Sequence, residues 1–209
     1  MLTELKVNDF VNQVASSSPA PGGGSVAALT AAQGIALTRM VTQLTIGKKK
    51  YAEHAELMQE ISAKTEELIT KLIDYVQKDT EAYNGVDAVF AMPKGTDEEK
   101  TARADAMQAA LKKAAAVPLE VMTLCHEALK LTEKAIGKSN TNAASDLGVA
   151  ALNLGAGASG AWLNVKINLA GIKDETFVNE CSQGGIRLHE ETCKLSTHVY
   201  NEISKIISQ

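Results

Sequence analysis

Aromatic residues are scarce in this chain: three Phe, four Tyr and one Trp among 209 residues. Because apolar residues still make up 45%, the core must be built from Ala, Leu, Val and Ile, which favours closely packed helices over a β-sandwich. Cysteine is rarer still. Cys125, Cys181 and Cys193 are odd in number, scattered and free of CxxC spacing, which argues against a disulfide framework and for a reducing compartment, the cytoplasm by default. Long basic runs are missing as well, and a net charge of −4 with a pI of about 5.6 leaves little to neutralise phosphates. Nucleic acid is therefore not expected as the main partner, and the ligand should be small. Apolar stretches are broken by Asn, Asp, Gln, Arg or Lys before they reach membrane-spanning length, and Met1–Lys6 lacks the basic-then-apolar pattern of a secretory signal, so no membrane partner is expected. No repeat, linker or low-complexity tract divides the chain, and residues 1–209 read as one domain.

What is present is concentrated at one junction. Pro19-Ala20-Pro21-Gly22-Gly23-Gly24-Ser25 runs directly into an alanine-rich apolar segment. Two prolines keep the backbone extended, three glycines open conformations closed to other residues, and Ser25 is placed to cap the helix that follows. Such a bare helix start, with unpaired N–H groups and a positive dipole end, suits a carboxylate, a phosphate or an electron-rich ring. A tight turn that merely lets two helices pack closely has the same sequence.

Periodicity predicts an all-α bundle of about six helices, long and partly kinked. Val7, Phe10, Val11 and Val14 mark a short amphipathic helix, and a second runs from about Ser25 to Leu44 with so few charges that it should be central. After the basic turn Gly47-Lys48-Lys49-Lys50-Tyr51, a stripe through Met58, Ile61, Thr65, Leu68, Leu72 and Val76 continues toward Ala91. Thr96 and Glu99 form a capping box for the next helix, which Pro118 should kink or split because it lacks an N–H and crowds the carbonyl one turn back. A fifth helix starts among Ser139–Asp146 and reaches about Leu169, and Asp174 is placed to cap a last one ending near Ile207.

Two helical faces stand out chemically. Asp146, Ala150, Asn153, Gly157, Gly160, Asn164 and Asn168 follow at steps of three and four, so that one stripe of the fifth helix is small and amide-bearing while Leu147, Leu154 and Trp162 line the opposite one. Either another helix approaches closely there, or a polar ligand is read by the asparagines. Asp79, in Asp79-Thr80-Glu81-Ala82-Tyr83, falls beside the buried stripe of the third helix. It either pairs structurally or, partly desolvated, has a pKa raised toward a value useful for proton transfer.

Other motif matches fail on context. Gly155-Ala156-Gly157-Ala158-Ser159-Gly160 fits GxGxxG but continues a helix instead of following a strand. Lys130 stands where HExxH needs its second histidine after His126-Glu127, and His189 with Cys193 lacks further ligands, so no metal is implied. Val26 after Gly24-Ser25 breaks the GxSxG elbow of serine hydrolases.

Taken in order, Pro19–Ser25, Gly47–Tyr51, Asp79–Tyr83, Ala116–Leu119, Ser145-Asp146 and Asn164–Leu169 resemble the cyclodeaminase/cyclohydrolase family of tetrahydrofolate enzymes. The resemblance implies an all-helical homodimer whose folate site lies near the glycine-rich turn, with no cofactor beyond the tetrahydrofolate substrate. It implies Asp79 as the catalytic residue. It further implies substrate contacts from Gly22, Gly23, Gly24, Ser25, Tyr83, Asp146, Asn164 and Asn168, and from Lys48, Lys49 and Lys50 toward a glutamate tail. The implied reaction is cyclodeamination of 5-formimidoyltetrahydrofolate, with 5,10-methenyltetrahydrofolate cyclohydrolysis as the alternative. A non-catalytic interaction module that dimerises through the Asn/Gly face is the alternative of another class.

Overall fold

The computed structural model describes residues 1–208, which form six α-helices and no strand. They are α1 (Val7–Val14), α2 (Gly23–Gln43), α3 (Ala55–Phe90), α4 (Asp97–Ala135), α5 (Ala144–Leu169) and α6 (Glu175–Ile207), with short 3₁₀ turns at Leu2–Glu4, Lys49–His54 and Thr141–Ala143. The long helices α3 and α4 make an antiparallel hairpin behind α2 and α5, and α6 closes the far side against α5 and α4. One apolar cluster extends from Phe10 on α1 to Ile203 on α6, filled largely by Ala, Leu, Val and Ile as the shortage of aromatics requires.

The small residues of the α5 stripe serve two purposes. Along its middle they admit α2: a methyl on Gly157 would sit 3.0 Å from the Ala27 carbonyl and the Ala31 side chain, and one on Gly34 would sit 3.0 Å from the Ala150 carbonyl. Only glycine lets these antiparallel backbones approach so closely. At its end, Asn164 and Asn168 leave the packed seam and reach a cavity.

Two expectations are corrected, a cap from Ser25 and a split at Pro118. α2 begins at Gly23, and extended Gly22 (φ −113°, ψ −159°) holds the cap position without any side-chain cap. Ser25 thus lies inside the first turn, fully buried, and its hydroxyl turns across to α3 instead of capping its own helix. Glycines at the two preceding positions let the turn wedge against α3 and α5, where a buried hydroxyl finds better partners than its own N–H groups. Pro118 neither splits α4 nor ends it, since the helix runs through it from Asp97 to Ala135. The N–H that proline lacks would have bonded the carbonyl four residues back. That carbonyl, Ala114 O, instead accepts from Asn168 Nδ2 at 3.0 Å. The capping box on α4 forms as expected, with Glu99 N–H donating to Thr96 Oγ1 at 3.2 Å and Thr96 N–H donating to Glu99 Oε2 at 3.1 Å.

Candidate active site

The start of α2 meets α3, α4 and the end of α5 around a cavity of about 310 Å³. Its floor is the glycine turn, Gly22–Gly24, and its walls are Asp79 and Tyr83 from α3, Ala114 from α4, and Asn164 and Asn168 from α5. The first intrahelical bond of α2 runs from Val26 N–H to Gly22 O, so the N–H groups of Gly23, Gly24 and Ser25 lie ahead of the helical ladder. A larger groove of about 510 Å³ lies under α1, but among the described residues its lining holds no ionisable side chain. Of these two, only the smaller cavity is lined by ionisable side chains, Asp79 and Tyr83.

Asp79 is pressed against the α2 start. A methyl group at Gly24 would fall 2.5 Å from its carboxyl carbon and 2.7 Å from Oδ2, far inside contact distance. The glycine is thus required by close approach, since its backbone angles are ordinary helical ones. Burial pushes the Asp79 carboxyl above its usual range, opposed by hydrogen bonds from the Ser25 hydroxyl and N–H. The Ser25 hydroxyl stands 2.8 Å from the Val76 carbonyl, 3.1 Å from Asp79 Oδ2 and 3.1 Å from Thr80 Oγ1. Its one proton can point to an ionised Asp79 or turn to Val76 O and leave a lone pair for a protonated Asp79. A carboxyl with a raised pKa and a partner that adapts to either protonation state can accept a proton and return it.

The two asparagines are fixed by their amide groups. Asn164 Nδ2 donates to Gly160 O at 2.9 Å, and Asn168 Nδ2 donates to Ala114 O at 3.0 Å and to Asn164 O at 2.9 Å. With the nitrogens committed to carbonyls, the Oδ1 atoms remain as acceptors beside the cavity. Acceptors on one wall and unpaired backbone N–H groups on the floor, around a carboxyl, suit a flat heterocycle with both donor and acceptor edges.

Residues 6–184 match the family described as formiminotransferase-cyclodeaminase. The chain belongs to that family. A methenyltetrahydrofolate cyclohydrolase of Methylorubrum extorquens is 40% identical over 202 residues, 97% of each chain. A formimidoyltransferase-cyclodeaminase of Mus musculus is 35% identical over 84% of this chain, which spans only 32% of that protein's length. A crystal structure of formiminotetrahydrofolate cyclodeaminase from Thermotoga maritima superposes with a TM-score of 0.82 at 32% identity, covering 100% of this chain and 98% of that one.

Not every residue singled out in this family member comes to the cavity. Gly22, Gly23, Gly24, Asp79, Tyr83, Asn164 and Asn168 line it, and Ser25 stands behind Asp79. Lys48, Lys49 and Lys50 are exposed beyond the opposite end of α2, a helix of about 30 Å. Asp146 is in the first turn of α5, at that same distant end. Within one protomer these four do not border the cavity, because α2 and α5 run antiparallel and carry their far ends away from it. Reasoning from sequence missed Val86, Ile167 and the Ala114 carbonyl. Val86 stands seven residues from Asp79, a helical repeat on the same face, and Pro118 marks the carbonyl four residues before it. Among the described residues no group of three or more His, Cys, Asp or Glu is placed to hold a metal ion. No helix among them is long and apolar enough to cross a membrane.

Proposed function

We propose that this chain is a folate one-carbon enzyme, a formimidoyltetrahydrofolate cyclodeaminase, with Asp79 as its proton-transfer group. The observation that carries the reading is the Asp79 carboxyl, raised by burial and backed by Ser25, at a cavity bounded by the bare start of α2 and the two asparagines. In the proposed reaction, N10 of the protonated 5-formimidoyl substrate attacks the formimidoyl carbon and a tetrahedral centre forms. Asp79 takes the proton from N10 and returns it to the amino group on that carbon. The C–N bond to the amino group then breaks, ammonia leaves, and the N5–C–N10 bridge becomes the 5,10-methenyl cation. The carboxylate also stabilises that cation. Asn164 and Asn168 accept from the pterin's N–H groups, and the α2 N–H groups receive its acceptor edge. General acid–base help of this kind supplies about 10²–10⁴-fold, and positioning contributes more. No cofactor beyond the folate is needed. We place the enzyme in the cytoplasm and working as a homodimer, with neither nucleic acid nor membrane as partner.

A second reading is methenyltetrahydrofolate cyclohydrolase, favoured by the 40% identity to the Methylorubrum enzyme over nearly the whole of both chains. Water would attack the same methenyl carbon, Asp79 would take one of its protons and pass it to N5, and the C–N5 bond would break as the remaining hydroxyl proton leaves to solvent, giving 10-formyltetrahydrofolate. Offering 5-formimidoyl- and 5,10-methenyltetrahydrofolate separately, while following methenyl absorbance and ammonia, separates the two. Absorbance gained with ammonia is the expected result, and absorbance lost from the methenyl compound without ammonia establishes the second reading. Inactivity on both overturns the folate assignment.

A further inference from the structure

A thiol, an imidazole and a hydroxyl that take no part in the cavity meet at one point of the seam between α5 and α6. His189 and Cys193 stand four residues apart on α6 and so share a face, and Ser159 reaches them from α5. Cys193 Sγ lies 3.4 Å from His189 Nε2, and the Ser159 hydroxyl lies 3.1 Å from the same nitrogen and 3.6 Å from the sulfur. Several hydroxyls on the long helices fold back onto the carbonyl four residues earlier, as those of Thr30, Thr45 and Thr192 do. The Ser159 hydroxyl turns to the imidazole and the sulfur instead. Trp162 steadies the imidazole, its ring stacked on that of His189 with centroids 6.4 Å and planes 27° apart. Gly185, one turn before His189, makes room for the indole, since a methyl there would sit 2.9 Å from Trp162 Cη2.

With its ring proton on Nδ1, His189 presents the Nε2 lone pair to the thiol and can take the thiol's proton. The thiolate so formed faces two donors, Nε2–H and the Ser159 hydroxyl. The other two cysteines are set differently. Cys125 is fully buried, which pushes its thiol up to about 12, and burial raises Cys181 as well. Cys193 is only half-buried, and a shallow depression of about 430 Å³, lined by Lys194, Thr197, His198 and Asn201, opens beside it. Its polar rim suits a small polar molecule. A second thiol from within the chain does not fit the need. Cys181 is twelve residues back along the same helix, about 18 Å away, whereas a disulfide spans at most about 7 Å between Cα atoms, and Cys125 is sealed in the core. The sulfur that meets Cys193 therefore has to come from outside.

We propose that Cys193 is a site of reversible thiolation, where His189 and Ser159 prepare the sulfur to attack a small polar disulfide. Cys193 S–H gives its proton to His189 Nε2, and the thiolate attacks one sulfur of the disulfide. A new S–S bond forms as the old one breaks, and the departing thiolate takes the proton from Nε2–H and leaves as a thiol. One S–H and one S–S bond are exchanged for another of each, Cys193 being oxidised and the released half of the disulfide reduced. The inference stands apart from the folate reading, because none of the three residues lines the cavity.

The test is the rate at which 2-hydroxyethyl disulfide, small and uncharged, modifies the full chain, followed by mass mapping of its peptides. A thiol without a partner is only a few per cent thiolate at neutral pH, so a base in contact leaves a gain of about tenfold. The expected result is a single adduct, on Cys193, formed about tenfold faster in the folded chain than on the same cysteine in urea and removed by dithiothreitol. Exposure alone would make the folded rate equal to or below the unfolded one. His189→Gln should bring the folded rate down to that of the unfolded chain, and Ser159→Ala, a small change within a helix, should lower it by about threefold. A Cys193 that reacts no faster in the folded parent than in urea overturns the inference, and so does an unchanged rate in either folded variant.

Discussion

Gly24→Ala is the sharpest test of how Asp79 is held. The added methyl would lie 2.5 Å from the Asp79 carboxyl carbon and 2.7 Å from Oδ2, whereas non-bonded heavy atoms settle near 3.5–4.0 Å. The carboxyl must retreat by about 1 Å or more. Both backbones are fixed by packing, so the movement falls on the Asp79 side chain, which swings away from Ser25 and toward solvent. A displacement of that size costs about 10²-fold in rate, equivalent to about 2.7 kcal/mol of transition-state stabilisation. Fold stability should not follow, because alanine is favoured over glycine in a helix by about 1 kcal/mol, which offsets the strain of moving one side chain. The expected outcome is kcat/KM for the active folate lowered about a hundredfold, with a melting temperature within a few degrees of the parent. Gly85→Ala is the control: a methyl there meets nothing within 4 Å, so turnover should match the parent. A folded Gly24→Ala enzyme within threefold of the parent's kcat/KM refutes the idea that contact with the α2 start positions Asp79.

Asp79→Asn should preserve folate binding by calorimetry while turnover falls by two or more decades, and unchanged turnover removes Asp79 from the chemistry. Because burial raises the native pKa of Asp79, its ionisation opposes folding once pH climbs past the unfolded carboxyl's value. Asp79→Asn should therefore melt above the parent at neutral pH, with the difference closing as pH falls below about 3, where the carboxyl is protonated in both states. A difference independent of pH contradicts the burial argument. Asn168→Leu leaves the Ala114 carbonyl without its side-chain donor and should cost about 1–3 kcal/mol in urea unfolding, besides raising KM. Adding Pro118→Ala returns a helical N–H to that carbonyl, so stability should recover while KM does not; recovery of both places Asn168 outside ligand binding.

The all-helical architecture was legible in the chain because a core of small aliphatic residues recurring at 3.6-residue spacing has few other ways to be buried. The capping box at Thr96 and Glu99 is local chemistry, written in neighbouring residues. Asp79 could be marked as a carboxyl beside a buried stripe, and the glycine run as an open helix start, on the same grounds. Tertiary structure alone decided what these features face. The antiparallel run of α2 against α5 brings the glycines to Asn164 and carries Lys48–Lys50 and Asp146 to the far end. Ser25 looked like a cap because its neighbours in sequence suggest one, whereas its partners, Val76, Asp79 and Thr80, lie more than fifty residues away. Pro118 reads as a broken helix until Asn168, contributed by another helix, supplies the missing donor. Helical periodicity is a property of adjacent residues and survives in the string; which side chain meets which depends on helix pairing, and that arises only when the whole core closes.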